Sequence, residues 1–491
     1  MSVTQRIRVP AGRRPYGASV GGISARAPGD YAEDSGAWAA ASGSYRSTGW
    51  GAEHHDADSR LFGHGVITRA RSRAAAAQNG IAKSGIEHFV SNAVGTGIVL
   101  RSAHPDPGIR QALHELFDDW AEESDAAGVC DWYGQQALAT RAMLEGGEVL
   151  ARHRLRRPED GLQVPYQVEL IEPEHLPFHH NGMNGANKIK AGIEFDPLGR
   201  RAAYHLYRSH PGSTAWDVAA NDLSRVPADQ VVHLFHPLRP GQSRGIPWLS
   251  WVLARLGDID EYDGAETVRK KTSAMFTAFV TANAPQGEND GMLGPLGQDA
   301  NGAIAELSPG TIQFLAPGEQ VSFAAPKDDS SYEGFMRSQL RSIAAGMGVT
   351  YEQLSRDLTG VNYSSIRAGL LEFRRQASML QHQVIIHQFC RPIWREWLRS
   401  TLLLHFPREF ARDPDIRKWR RARWMPPAWE WVDPEKDVKA SLLAIQGGLT
   451  SRARVVAASG EDVETIDAEQ AADRKRAEDL GLPYSGYAVA A

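Results

Sequence analysis

Cysteine is nearly absent. Cys130 and Cys390 are the only two in 491 residues, too few for a disulfide framework. Both lie in apolar, helix-like contexts, where a free cysteine behaves as a small buried hydrophobe, and a reducing, cytoplasmic site of synthesis is expected. No apolar run approaches the ~18–20 residues that span a bilayer. The arginines near the N-terminus are not followed by an apolar core, so no secretory leader is expected. The phosphate cradles G-x-x-x-x-G-K-[ST] and G-x-G-x-x-G are missing, as is the zinc motif H-E-x-x-H. Nor is there an excess of one charge: 54 basic residues face 59 acidic ones, for a net charge of −5. That excludes a protein that grips nucleic acid by bulk charge, but not one that lets it slide past.

What is present is an α+β pattern. Residues 1–60 are rich in Gly, Ser, Ala, Arg and Tyr without a sustained period and are expected to form a mobile arm. Three helices are predicted next: "RARSRAAAAQNGIAKSGIEHFVSNAVGTG" as one piece, "IRQALHELFDDWAEES" with Leu113, Leu116, Phe117 and Trp120 on one face, and "WYGQQALATRAMLEGGEVLARH" running into a Gly-Gly break. Strands follow in "YQVELIEP", in a hairpin turning at Asp196-Pro197-Leu198-Gly199, and in "QVVHLFHP". A long helix over 247–277 carries Val252, Leu256 and Ile259 as a stripe. Residues 278–328 read as a small β-rich insertion, and a helix with Met336, Leu340, Ile343 and Met347 comes after it. The longest helix has two stripes, Ile366-Leu370-Phe373-Ala377-Leu380-Val384 and Ile385-Phe389-Ile393-Trp397. The first is a nearly three-heptad seam, and Pro392 is expected to bend or break the helix. A strand-like return and terminal helices complete the chain.

Few motifs carry chemistry. G-x-S-x-G occurs at 17–21, inside the arm, and at 241–245 as "GQSRG". A nucleophile elbow needs serine at the apex of a sharp strand-to-helix turn, and here Pro237 and Pro240 separate the strand from Gly241 and Pro247 delays the helix. A serine hydrolase built on Ser243 is the alternative function. His54, His55, Asp56 and Asp58, the pair His179-His180, and His233 with His236 lack helical metal-ligand spacing, so no metal is expected. Asp258, Asp260, Glu261 and Asp263 spread over more than one helix face and read as a solvated surface. "IRKWRRARW" mixes Arg and Trp as single-strand binders do, but a strand with one buried aromatic face explains it as well. "ARHRLRR" is ambiguous in the same way.

One stretch resists a structural reading. "GVTYEQLSRDLTGVNYSSIRAG" sits between two amphipathic helices, yet it is polar and about fifteen residues long, where a plain helix–helix connection needs about 2–8. With its flanks, "LRSIAAGMGVTYEQLSRDLTGVNYSSIRAGLLEFRR" resembles the lambda-type portal proteins of tailed bacteriophages. "GQSRGIPWLSWVL", "LAPGEQVSF" and "WVDPEKDVKASLLAIQGGLTS" support the resemblance, which covers roughly 61–470.

The resemblance implies a portal fold with an α/β wing, long stem helices, a small β-rich clip, a tunnel loop and a helical crown. The wing would comprise 61–246, a long helix over 365–408 and a return over 409–432. Stem helices would be 247–277 and 329–348, the clip 278–328, the tunnel loop 349–364, the crown 433–480 and the C-terminal tail 481–491. It also implies a ring, twelve subunits in the virion, at one capsid vertex, without catalysis or cofactor. The implied partners are double-stranded DNA bound without sequence preference, the large terminase ATPase, head-tail connector proteins, and capsid and scaffold proteins, with no membrane. Synthesis would be in the host cytoplasm. Tyr351, Gln353, Ser355, Arg356, Asp357, Thr359 and Asn362 would face DNA from the loop, and Lys270, Lys271, Arg337 and Arg341 from the stem.

Overall fold

The computed structural model describes residues 56–214, 222–274, 278–282, 297–299, 302–304, 319–323, 332–360, 363–429 and 434–482. The expected arm lies outside these up to residue 55, and helix begins at Ser59, within the span assigned to it.

The first predicted helix is two. α1 (Ser59–Gln78) ends where Asn79 takes an extended backbone, φ −101° and ψ 117°, and α2 (Gly80–Ala93) starts. The Asn79 side chain accepts from Ala82 N at 2.9 Å and so caps α2. Asparagine competes with the helix for backbone groups, which is why the break falls there. β1 (Val99–Ser102) follows, then α3 (Pro107–Glu123) and α4 (Trp132–Gly146), capped by Asp106 and Asp131.

β2 (Glu148–Leu155) corrects the sequence reading, which ran a helix toward the Gly-Gly pair and gave "EVLARH" no strand. It is the centre of a three-stranded antiparallel sheet, between β3 (Tyr166–Ile171) and a later strand. Its first four residues are all buried, so it lacks the alternation that marks a half-buried strand. The short strands β4 (Gly182–Asn184), β5 (Asn187–Lys190) and β6 (Ile193–Phe195) join β7 (Arg201–Tyr207) and β8 (Leu223–Pro227) in a five-stranded antiparallel sheet in chain order. The predicted hairpin is present: the Asp196 carboxylate accepts from Leu198 N and Arg200 N. β9 (Val231–Phe235) completes the three-stranded sheet on the far edge of β2.

α5 (Leu253–Ala274) buries Val252 at its start, Leu256 and Ile259. Within the insertion, β10 (Ala278–Ala282) pairs with β13 (Glu319–Phe323), and β11 (Gly297–Asp299) with β12 (Gly302–Ile304), both antiparallel. α6 (Tyr332–Met347) is followed by a five-residue helix, α7 (Tyr351–Ser355), then α8 (Tyr363–Leu380). Helical backbone then continues without a break. A π-helical stretch, Gln381–Cys390, leads into α9 (Arg391–His405). Pro392 therefore does not end the helix. The Arg391 N–H already reaches back to Ile386 O, so the widened turns absorb the ring that would clash in a regular helix.

Both stripes of this helix are core. Phe373, Ala377, Leu380 and Val384 are buried, with Ile366 and Leu370 half-buried, and Ile385, Phe389, Ile393 and Trp397 are wholly buried. Trp132 stacks on Phe389 at 5.5 Å between centroids, Trp120 on Tyr166 at 5.6 Å and Trp394 on Trp397 at 4.9 Å. α10 (Pro407–Arg412) and α11 (Ile416–Trp419) precede β14 (Ala422–Met425), which pairs with β1. α12 (Pro434–Gln446), α13 (Arg452–Ala458) and α14 (Val463–Leu480) end the described chain.

Candidate functional site

The polar stretch is more ordered than a loop. Gly348 leaves α6 at φ +68°, and a Cβ there would meet the Gln376 side chain at 2.5 Å. Thr350 and Gln353 then form a reciprocal cap: Gln353 Oε1 accepts from Thr350 N at 2.9 Å, and Thr350 Oγ1 from Gln353 N at 3.3 Å. Leu354 pins the turn, buried beside α2, where Ser84 Oγ donates to its carbonyl at 3.1 Å. Ser355 Oγ donates back to Tyr351 O at 2.8 Å. Arg356 ends α7 in the left-handed region, φ +58°, which a residue with a Cβ adopts at a cost.

Asp357 closes the turn. Its carboxylate accepts from Thr359 Oγ1 at 2.5 Å, Thr359 N at 2.9 Å and Tyr351 Oη at 3.0 Å, with Arg337 Nη2 at 3.7 Å. These bonds, the Thr359 hydroxyl foremost, hold its pKa below the usual carboxylate range. What remains exposed is the tip: Arg356, Leu358, Thr359 and Gly360. Asn362 lies outside the described residues.

The segment thus brings six of its seven predicted residues into one turn, but spends Tyr351, Gln353, Ser355 and Asp357 on holding that turn. The expected free loop over 349–364 has helices at both ends of it, with 363–364 already part of α8. Of the helix residues, Arg337 pairs with Glu333 at 2.9 Å as well as facing Asp357. The Arg341 guanidinium sits 5.5 Å from the Tyr351 ring centre. Two α6 cations therefore lie against the turn. Lys270 stands 3.9 Å from Glu266 and 5.2 Å from the Tyr332 ring centre, and Lys271 is exposed at the end of α5.

Other motifs resolve into structure. Ser243 is buried, its hydroxyl donating to Asp58 Oδ2 at 2.7 Å and its N–H to Asp58 Oδ1 at 2.9 Å. It has no histidine base among the described residues, so the hydrolase reading fails at its nucleophile. The neighbouring Arg244 is wholly buried and pairs with Glu148 at 2.6 Å; Arg69 and His233 bind the same carboxylate, and Gly245 N donates to it at 2.7 Å. A Cβ on Gly245 would lie 1.9 Å from Gly147 O, so only glycine fits this close approach. "GQSRG" is therefore a latch between α1 and β2. A charged residue opening an otherwise apolar run, Glu148 before "VLA", was the one sequence sign of it.

Trp419 of the Arg/Trp run is core, its Nε1 donating to Asp413 O at 3.0 Å, but it ends the helix α11 rather than lying on a strand, and Trp424, on β14, is only half-buried. Cys390 is buried, but Cys130 is only half-buried and precedes α4 rather than lying within a helix. His54 and His55 fall outside the described residues. One set among the described residues has metal-ligand spacing, Glu172, Glu174 and His210. Arg73 already pairs with both carboxylates there, at 2.6 and 3.0 Å. No helix among the described residues is long and apolar enough to cross a membrane.

Comparison with known proteins gives a consistent result. The family model described as phage portal protein, lambda family, matches residues 43–381. The chain is 28% identical over 453 residues to a probable portal protein of Halomonas phage phiHAP-1, covering 87% of this chain and 84% of that one. It is 25% identical over 352 residues to the portal protein of Escherichia phage N15, with 66% of each chain covered. Against portal protein B of Escherichia phage lambda it is 24% identical over 349 residues, covering 66% and 65%. Among solved structures, a chain of the native gene transfer agent virion overlays with a TM-score of 0.45 at 12% identity, over 86% of this chain and 94% of that one.

Proposed function

The chain belongs to the lambda family of phage portal proteins, and from that premise we propose that it works as a closed ring of identical copies at one capsid vertex. The ring is the passage for double-stranded DNA in packaging and ejection. In this reading 61–246 and 365–432 are wing, and α5 and α6 are stem. Residues 278–328 are the clip that meets the terminase motor and later the neck proteins, and 433–480 are crown. Residues 349–362 are the part that faces DNA. The protein is a conduit; the terminase ATPase supplies the work.

The observation that carries this reading is the turn at 350–360. Its polar side chains bind its own backbone and each other, and its tip leaves a single cation, Arg356, without a carboxylate partner among the described residues. In a ring each such side chain recurs once per copy. Duplex DNA carries a charge every ~1.7 Å of axis, so a continuous basic lining would hold it fast. One free guanidinium per copy, beside a carboxylate already committed to Thr359 and Tyr351, gives weak contacts that exchange as the duplex moves. Arg356→Glu is expected to leave ring assembly intact and to slow DNA packaging several-fold. Packaging at the wild-type rate would show that this tip does not meet DNA.

A further inference from the structure

A second arginine, far from the turn in sequence, lacks an anion. Arg201 opens β7, half-buried, above a cleft also lined by Tyr204, Asp229, His233, His387 and Gln388. Its guanidinium donates to Tyr204 Oη at 3.1 Å, stands 3.3 Å from His233 Nδ1 and reaches Ser243 O at 3.4 Å. The Phe235 ring centre lies 5.3 Å away. All four neighbours are neutral groups, and no carboxylate among the described residues pairs with Arg201.

The shortage extends beneath it. His233 has its other nitrogen on Glu148 at 3.0 Å, and that single carboxylate already serves the buried guanidiniums of Arg69 and Arg244. Asp58, bound by Ser243, is answered by Lys190 at 2.8 Å. Arg69 and Arg244 thus share one buried carboxylate with His233, and Arg201 stands against the far nitrogen of that histidine, with Asp229 exposed at the rim. Positive charge withdrawn from water without a counter-charge is unfavourable. The opposite wall is the π-helical stretch. Widened turns of this kind are frequent at functional sites, and here one brings His387 and Gln388 to the cleft. Gln388 Oε1 accepts from Phe235 N at 3.1 Å, which leaves its amide NH2 as a donor. Tyr204 Oη, accepting from Arg201, keeps its proton to give.

We propose that this cleft is an oxyanion site, in which Arg201 binds a carboxylate or phosphate group with Tyr204, His387 and Gln388 as further donors. The group comes either from an acidic side chain of a second copy of the chain or from free phosphate. The site itself does not depend on the portal reading.

The test uses the full-length protein. Thermal unfolding is compared in low-millimolar phosphate and in chloride at equal ionic strength, for wild type and Arg201→Gln. Oligomer size is followed for both by native mass measurement. A phosphate-induced rise of a few degrees in Tm, lost in Arg201→Gln, identifies a free anion. No phosphate effect, with Arg201→Gln shifting wild-type oligomers toward single chains, identifies a carboxylate of a second copy. Gln388→Glu guards against misfolding of the first variant, because it supplies a carboxylate from within. It is expected to raise Tm in chloride and to lose any phosphate response. If phosphate does not move wild type, Arg201→Gln assembles as wild type and Gln388→Glu gains nothing, the proposal is overturned.

Discussion

Two histidines show how burial sets the behaviour of single residues. Burial pushes His153 down to about 4, and it does the same to His233, also to about 4, against the pull of Glu148. In the unfolded chain both take up a proton near 6.5, the ordinary value for histidine. Between those limits the unfolded state binds more protons, so their contribution to stability is complete above pH 6.5 and is lost as pH falls toward 4. Unfolding free energy from urea titrations should drop over that window by up to roughly 3 kcal/mol for each, and His153→Gln should flatten the slope. A pH-independent stability from 6.5 to 4 would contradict the assignment. Arg356 gives a second test. Its left-handed backbone favours glycine, so Arg356→Gly should stabilise by roughly 1 kcal/mol in the same titrations, whereas Arg356→Glu should not. Equal stability in the two variants would mean that the turn is not held as described.

At the scale of elements, the apolar periods were legible and the exceptions were polar. Val252-Leu256-Ile259 and both stripes of the long helix point to the core as their spacing predicts. Asn79 hid a helix break because its capping role depends on a backbone turn that periodicity does not register. β2 was missed because a strand buried on both faces loses its alternation. Pro392 was expected to bend or break the helix; the helix does not break but widens ahead of it over Gln381–Cys390, which the apolar spacing does not register. The polar stretch could be found by its lack of a stripe, but the Thr350–Gln353 cap and the Asp357 turn inside it could not, since both depend on which hydrogen bonds close. Two substitutions test the packing. Leu380→Asp puts a charge at a wholly buried seam position and should prevent folding or assembly; a soluble ring would mean the face is misplaced. Leu354→Asp should free the turn from α2 while the body stays folded. Amide exchange over 349–360 should then speed up at least tenfold; unchanged protection would place the anchor elsewhere.

For the whole molecule, the near balance of 54 basic and 59 acidic residues agrees with the proposed passage, which must not hold its cargo. The buried latch from Arg69 and Arg244 through Glu148 ties α1 to β2, and the long helix meets β9 where Gln388 accepts from Phe235 N and the head of the turn where Gln376 lies against Gly348. That chain of contacts gives the exposed tip a fixed place in the fold, which the proposed ring would repeat once per copy. Cryo-electron microscopy of the purified full-length protein tests this most directly. The expected reconstruction is a closed ring with a central channel into which Arg356, Leu358 and Thr359 of every copy project. A ring whose 356–360 tips face outward, or particles without a central opening, would contradict it.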